Sequence, residues 1–206
     1  MTSSGVATLD INGNYSLTGG THTMSSGTSV LNANGIMNVA GNFIHTGGTI
    51  NESSSGLGSI VFDGTGTQTY TSGGTVTNTI NFTVNSGATL QMAAPTTTVT
   101  GAGTFTLQNN STLGITSPNG ITTGIGTGGT NGNIQTTGAS RSFNTAANYI
   151  YNGSAAQTTG TGLPATVSNL TFNNSSGAVT FNAVRAITNN FSITSGSVAN
   201  LGTFTH

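Results

Sequence analysis

The sequence predicts an all-β chain wound as a parallel β-solenoid of irregular coils. Three observations carry that expectation. Bulky apolar residues alternate with small polar ones in the strand period of two, a strand-and-corner phrase recurs along the chain, and no window shows a capped apolar stripe at helical spacing. The stretch SIVFDGTGTQTYTSGGTVTNTINFTV, residues 59–84, displays the alternation at length. Its Thr, Val and Ile are β-branched and pack well on a pleated surface. An array of β-sandwich modules is the alternative, since it too gives short alternating strands bounded by turn residues.

Taken alone, the composition points to a low-complexity chain. Gly, Thr, Asn and Ser make up more than half of the 206 residues. Disordered segments, however, are depleted in the aromatic and β-branched residues that this chain spaces regularly. Pattern therefore overrules composition.

The first strand phrase is GNYSLTGGT, residues 13–21, and GNFIHTGGT at residues 41–49 repeats six of its nine positions. GTFTLQNNS at residues 103–111 and NNFSITSGS at residues 189–197 are further copies. The aromatics Tyr15, Phe43, Phe105 and Phe191 are followed two residues later by Leu17, His45, Leu107 and Ile193, which puts each pair on one strand face. The Gly or Asn at the end of the phrase tolerates a positive φ and makes a tight corner. Stacked coils bury these faces against one another and pair the backbone between neighbours. The expected core stack is Tyr15, Leu17, Phe43, Phe105, Leu107, Phe191 and Ile193.

A longer repeat overlies the short one. VFDGTGTQT at Val61 is echoed by IYNGSAAQT at Ile150, NFTVNSG at Asn81 by NLTFNNSSG at Asn169, and Phe105 by Phe191. The spacings agree to within a few residues. They divide a single solenoid of residues 1–206 into units of about 27–115 and 116–206, preceded by a partial unit 1–26.

The residues YIYNGSAAQTTGTGLPATVSNLTFNNSSGAVTF, Tyr149 to Phe181, followed by NNFSITSGSV, resemble repeats of large secreted surface proteins of Bacteroidota and related bacteria. The matching features are Tyr151-Asn152-Gly153, Gln157, Gly162-Leu163-Pro164 and Asn169-Leu170-Thr171. The first unit lacks the Gly-Leu-Pro and has SGGTVTNTI there, a stretch similar to autotransporter-adhesin repeats. The resemblance implies an extracellular β-helical stalk, adhesin or fibre exported by a dedicated secretion system.

The charges exclude several functions. Asp10, Glu52, Asp63, Arg141 and Arg185 are the five charged side chains, and Lys and Cys are absent. No basic patch is available for nucleic-acid phosphates, and no polybasic run or long apolar segment favours membrane insertion. β-helical polysaccharide enzymes need clustered carboxylates with a basic partner. The three carboxylates here are scattered in sequence, and Asp63 exchanges with Asn152 between repeats as a turn residue does. No catalytic residue and no enzyme activity are expected. His22, His45 and His206 form no ligand pair, so no metal site or cofactor is expected either. The residues 1–25 contain no export-signal core.

Thr-x-Thr pairs stand at Thr21/Thr23, Thr65/Thr67, Thr69/Thr71, Thr75/Thr77, Thr104/Thr106 and Thr203/Thr205. Flat Thr arrays suit an ice-binding face, but the uneven spacing of these pairs argues against the register such a face needs. Thr is also the natural outward residue of an uncharged strand. The expectation is an extracellular or cell-surface structural protein that self-assembles head to tail into a filament or forms a stalk. The alternatives are a glycan- or surface-binding adhesin module and an ice binder. No capping helix or charged plug is evident at residues 2–13 or 197–206. The assembly contact is therefore expected to set Phe191, Ile193 and Phe204 of one copy against Leu9 and Ile11 of the next.

Overall fold

The computed structural model describes residues 6–25, 34–53, 56–124, 131–137, 141–194 and 197–201, and among these it contains β-strands and no helix. The first coil carries β1 (Ala7–Ile11) and β2 (Tyr15–Thr23). The second carries β3 (Gly35–Val39) and β4 (Phe43–Asn51). The third has β5 (Gly58–Phe62), β6 (Thr67–Ser72) and β7 (Thr75–Thr77). The fourth has β8 (Ile80–Val84) and β9 (Thr89–Met92), and the fifth β10 (Phe105–Leu107) and β11 (Thr112–Ile115). The sixth holds β12 (Arg141–Phe143), β13 (Asn148–Tyr151) and β14 (Gln157–Thr158). The seventh holds β15 (Thr166–Phe172) and β16 (Ala178–Thr180), and the eighth β17 (Ala186–Ile193) and β18 (Val198–Asn200).

All named strand pairs are parallel, as a solenoid requires and an antiparallel sandwich does not. The first wall is the six-stranded sheet β1-β3-β5-β8-β10-β12. The second wall runs β2-β4-β6-β9-β11-β13-β15-β17, and it alone passes through all the coils. A third wall, β14-β16-β18, serves the last three coils. In the first three coils that side is supplied by β7 and by the second halves of β2 and β4. At about 4.8 Å per rung the second wall is roughly 34 Å long.

Coil length varies. Tyr15 lies over Phe43, 28 residues on, whereas Leu170 lies over Phe191, 21 residues on. Between the fifth and sixth coils the step is 36 residues, from Thr112 to Asn148. The extra chain folds back on the stack. Its Ile134 bridges to Val99 of the fourth coil, and its Pro118 carbonyl accepts from Thr158 N at 2.8 Å, beneath the third wall. Buried Asn133 clamps this excursion: its Oδ1 accepts from Thr116 N and Ser117 N, and its Nδ2 donates to Thr97 O at 2.7 Å.

The strand phrase of the first two coils ends in a Gly-Gly bend. Gly20 and Gly48 both have φ of 75°, and a Cβ at Gly48 would run into the backbone of Gly19 and Gly20 in the coil beside it. Positive φ and close coil approach together select glycine here. The longer repeat also has a structural meaning: its landmarks move one wall onward. Val61, Asn81 and Phe105 lie in β5, β8 and β10 of the first wall, and Ile150, Asn169 and Phe191 in β13, β15 and β17 of the second.

What is copied is a corner. After Phe62-Asp63-Gly64, buried Gln68 accepts from Gly64 N at 2.9 Å and donates to Val39 O and Gly41 O of the coil below. After Tyr151-Asn152-Gly153, buried Gln157 accepts from Gly153 N at 2.8 Å and donates to Ile115 O and Ser117 O. Each amide satisfies backbone groups that a turning strand removes from its ladder.

Candidate functional site

The interior is a set of side-chain columns. Tyr15, Phe43 and Tyr70 stack on successive rungs of the second wall, with centroid separations of 4.9 and 5.1 Å. The column continues through Met92, Ile115, Tyr151 and Phe172 to Ile193. Phe62 and Phe82 of the first wall meet its rings edge-on. Edge-to-face contacts of this kind add to the area buried.

The structure divides the sequence-derived core stack among three places. Tyr15, Phe43 and half-buried Leu17 lie together in the first two coils of the second wall, where Leu17 is in register with His45. Phe105 and Leu107 are fully buried but belong to β10 in the first wall. Phe191 and Ile193 sit on the eighth coil, 41% and 47% exposed, with Phe191 packed on Phe172 and Phe181. Of the residues expected at the assembly contact, Leu9 and Ile11 lie in β1, on a different wall from Phe191 and Ile193. Phe204 lies outside the described residues, as do His206 and the pair Thr203/Thr205.

Exposed large apolar side chains concentrate at the two ends of the stack. Apart from Leu57 they are Val6 and Leu9 on the first coil, and Val184, Phe191, Ile193, Val198 and Leu201 around the eighth. Phe181, Val184, Ile187, Phe191 and Leu201 line an apolar hollow of about 260 Å³. Leu9 is in register with Met37, and Met37 with Ile60, both fully buried. Exposure of Leu9 thus reflects its place on the first rung, not a change of facing.

The third side carries an ordered hydroxyl surface. Thr21, Thr49 and Thr75 are in register on three successive coils, and beside them so are Thr23, Asn51 and Thr77. The repeated phrase aligns Thr21 with Thr49, and the uneven sequence spacing concealed Thr75, because the coils differ in length. Past β7 the surface opens into a cleft of about 500 Å³, lined by Ser72, Thr75, Thr96, Thr98 and Thr100 among others.

The charged groups segregate along the rod. Asp10, Glu52 and Asp63 are in the first three coils, Arg141 in the sixth and Arg185 just before β17 in the eighth. Asp10 and Asp63, far apart in sequence, share a polar depression with Asn12 and Asn38, and Asn38 Nδ2 donates to Asp10 Oδ1. Arg141 donates to Ile134 O and Thr123 O, both at 2.7 Å, and so ties down the excursion. Arg185 donates to Gly160 O at 3.2 Å. Among the described residues no group of three or more His, Cys, Asp or Glu could hold a metal ion, and no helix is long and apolar enough to cross a membrane.

His45 is buried, with Nε2 3.4 Å from Gly48 O, and His22 Nδ1 lies 2.9 Å from Tyr15 Oη. Burial lowers the proton affinity of both imidazoles. Burial raises the Tyr15 phenol to about 12 and pushes those of Tyr70, Tyr149 and Tyr151 higher. Comparison with protein-family models, curated proteins and solved structures returns no match.

Proposed function

We propose that this chain is a structural element of an extracellular fibre, a β-solenoid rod that extends by adding coils end on end. One observation supports this reading above the others. Along the columns, fully buried side chains such as Met37, Ile60, Leu170 and Phe172 give way to half-exposed ones at Leu9 on the first coil and at Phe191 and Ile193 on the eighth. Another coil, contributed by a second copy or by further chain, is the surface that would bury them. The contact joins unlike ends and so generates an open filament. Near-zero net charge offers little repulsion against it.

Electron microscopy of the purified chain in plain buffer, with sedimentation over a concentration series, tests the reading. Uniform fibres a few nanometres wide are expected. A monomer at every concentration, with its ends covered, removes the assembly role.

The hydroxyl array of Thr21, Thr49 and Thr75 supports a second reading, a face that orders water or binds ice. Its measure is thermal hysteresis, which Thr49→Lys should abolish. Retention on immobilised glycans would instead favour an adhesin.

A further inference from the structure

We infer that copies join wall for wall through the second wall: β17 of one copy pairs in parallel with β2 of the next, setting Ile193 over Tyr15 and Phe191 over Gly13. This rests on the structural reading above and specifies its contact. Among the described residues the second wall is the one sheet that runs unbroken from the first coil to the eighth; the first wall stops at β12 in the sixth coil, and the third side is the far half of β2 at one end and β18 at the other. Setting Phe191 and Ile193 on Leu9 and Ile11 would instead join the second wall to the first and turn each copy by one wall.

Continuing the columns fixes the register. The column of Tyr15 ends at Ile193, so the next residue to follow Ile193 is Tyr15 of a neighbour. The adjacent column runs from Gln68 through Leu90, Leu113, Tyr149 and Leu170 to Phe191. Two residues before Phe43 and Tyr15 this column starts with Gly41 and Gly13, whose backbones are hydrogen-bonded at 3.0 Å. A Cβ placed on Gly13 would meet no atom within 4 Å. The half-exposed ring of Phe191 thus faces a glycine position open to a neighbour.

Charge agrees with this order. Of the charged side chains, Asp10 lies in the coil that receives the contact and Arg185 in the coil that makes it. Asp10 precedes the corner into β2 as Arg185 precedes β17, so wall-for-wall stacking brings opposite charges to the same side of the joint.

The chain has no cysteine, which makes cross-linking direct. In this register Ser16 and Thr194 are neighbours on adjacent parallel strands, about 4.8 Å apart and within disulfide reach. The double variant Ser16→Cys/Thr194→Cys should give a covalent ladder on non-reducing gels. Asp10→Cys/Ser192→Cys, which reports Phe191 over Leu9, should not. Gly13→Leu adds a side chain whose Cβ meets no atom of its own copy; it should keep the circular-dichroism spectrum and raise the concentration for association at least tenfold. Fibres that cross-link only through Asp10→Cys/Ser192→Cys, or through neither pair, overturn the register while leaving the filament. A native chain that never associates overturns both.

Discussion

Gln157 and Asn174 are joined amide to amide inside one corner, Asn174 Nδ2 donating to Gln157 Oε1 at 3.0 Å. Asn174 in turn donates to Ala155 O and accepts from Ser176 N and Gly177 N. The pair spans three coils, since Gln157 also reaches down to Ile115 O and Ser117 O. Gln68 builds the same corner without an amide above it. Each buried group left unpaired costs roughly 1–3 kcal/mol. Gln68→Leu should therefore destabilise by about 3 kcal/mol in chemical denaturation, and Gln157→Leu by more, because it also strands Asn174. Equal losses for the two would contradict the shared corner.

Phe43 is held between Tyr15 and Tyr70, whereas Phe191 has no rung above it among the described residues. Phe43→Ala should cost about 3–5 kcal/mol, as large-to-small changes in packed cores do. Phe191→Ala should cost far less in the dilute monomer and show its effect in association. Denaturation midpoints beside sedimentation coefficients separate the two.

His45 gives the rod an acid sensitivity. Its imidazole has a lower proton affinity folded than unfolded, so near pH 7 both states are neutral and stability is unaffected. As pH falls below the unfolded value of 6.5, the unfolded state takes up the proton more readily and stability drops until the folded pKa is passed. His22 acts in the same direction. Melting temperatures measured between pH 7.5 and about 4.5 should decline, and His45→Leu, which restores the residue in register at Leu17, should flatten part of the slope. An unchanged slope would assign the acid sensitivity elsewhere.

The four tyrosines set the alkaline limit. Their folded pKa values are raised by burial, so their contribution is complete below the unfolded value of 10.0 and is lost as pH climbs above it. A phenolate absorbance titration should show no ionisation near pH 10. Tyr15 should titrate first, at about 12, and the others together with loss of the β-sheet spectrum. An early phase carrying more than one tyrosine would mean the columns are more open than the geometry describes.

The coil was legible in the sequence where the step is constant. GNYSLTGGT and GNFIHTGGT are stacked in register at both ends, Tyr15 on Phe43, Leu17 on His45 and Thr21 on Thr49, with a one-residue shift at Thr18 in the bend. Wall assignment was not legible. The offset that relates Phe105 to Phe191 carries a residue from one wall to the next, since an excursion and shorter late coils intervene. Alternation records which way a side chain faces and is silent about which sheet it faces from. Corners and not strand pattern set the place of Thr75 beside Thr49 and the meeting of Asp10 with Asp63, and neither was legible.

The cleft past β7 has a mechanical consequence. In a rod of stacked rungs, tension along the axis pulls strands apart sideways, and every rung-to-rung joint bears the same load. Most joints described here are held by ladders on at least one full wall and by corner amides. Between the third and fourth coils two walls are laddered, β5 on β8 and β6 on β9, but the outer side is a gap: β7 pairs back to β4, and Val99 bridges forward to Ile134. The bond from Thr98 N to Ser72 Oγ crosses it at 2.8 Å. Under load this joint is held on two sides by its ladders and on the outer side across a gap, so the pull is shared unevenly around the rod there.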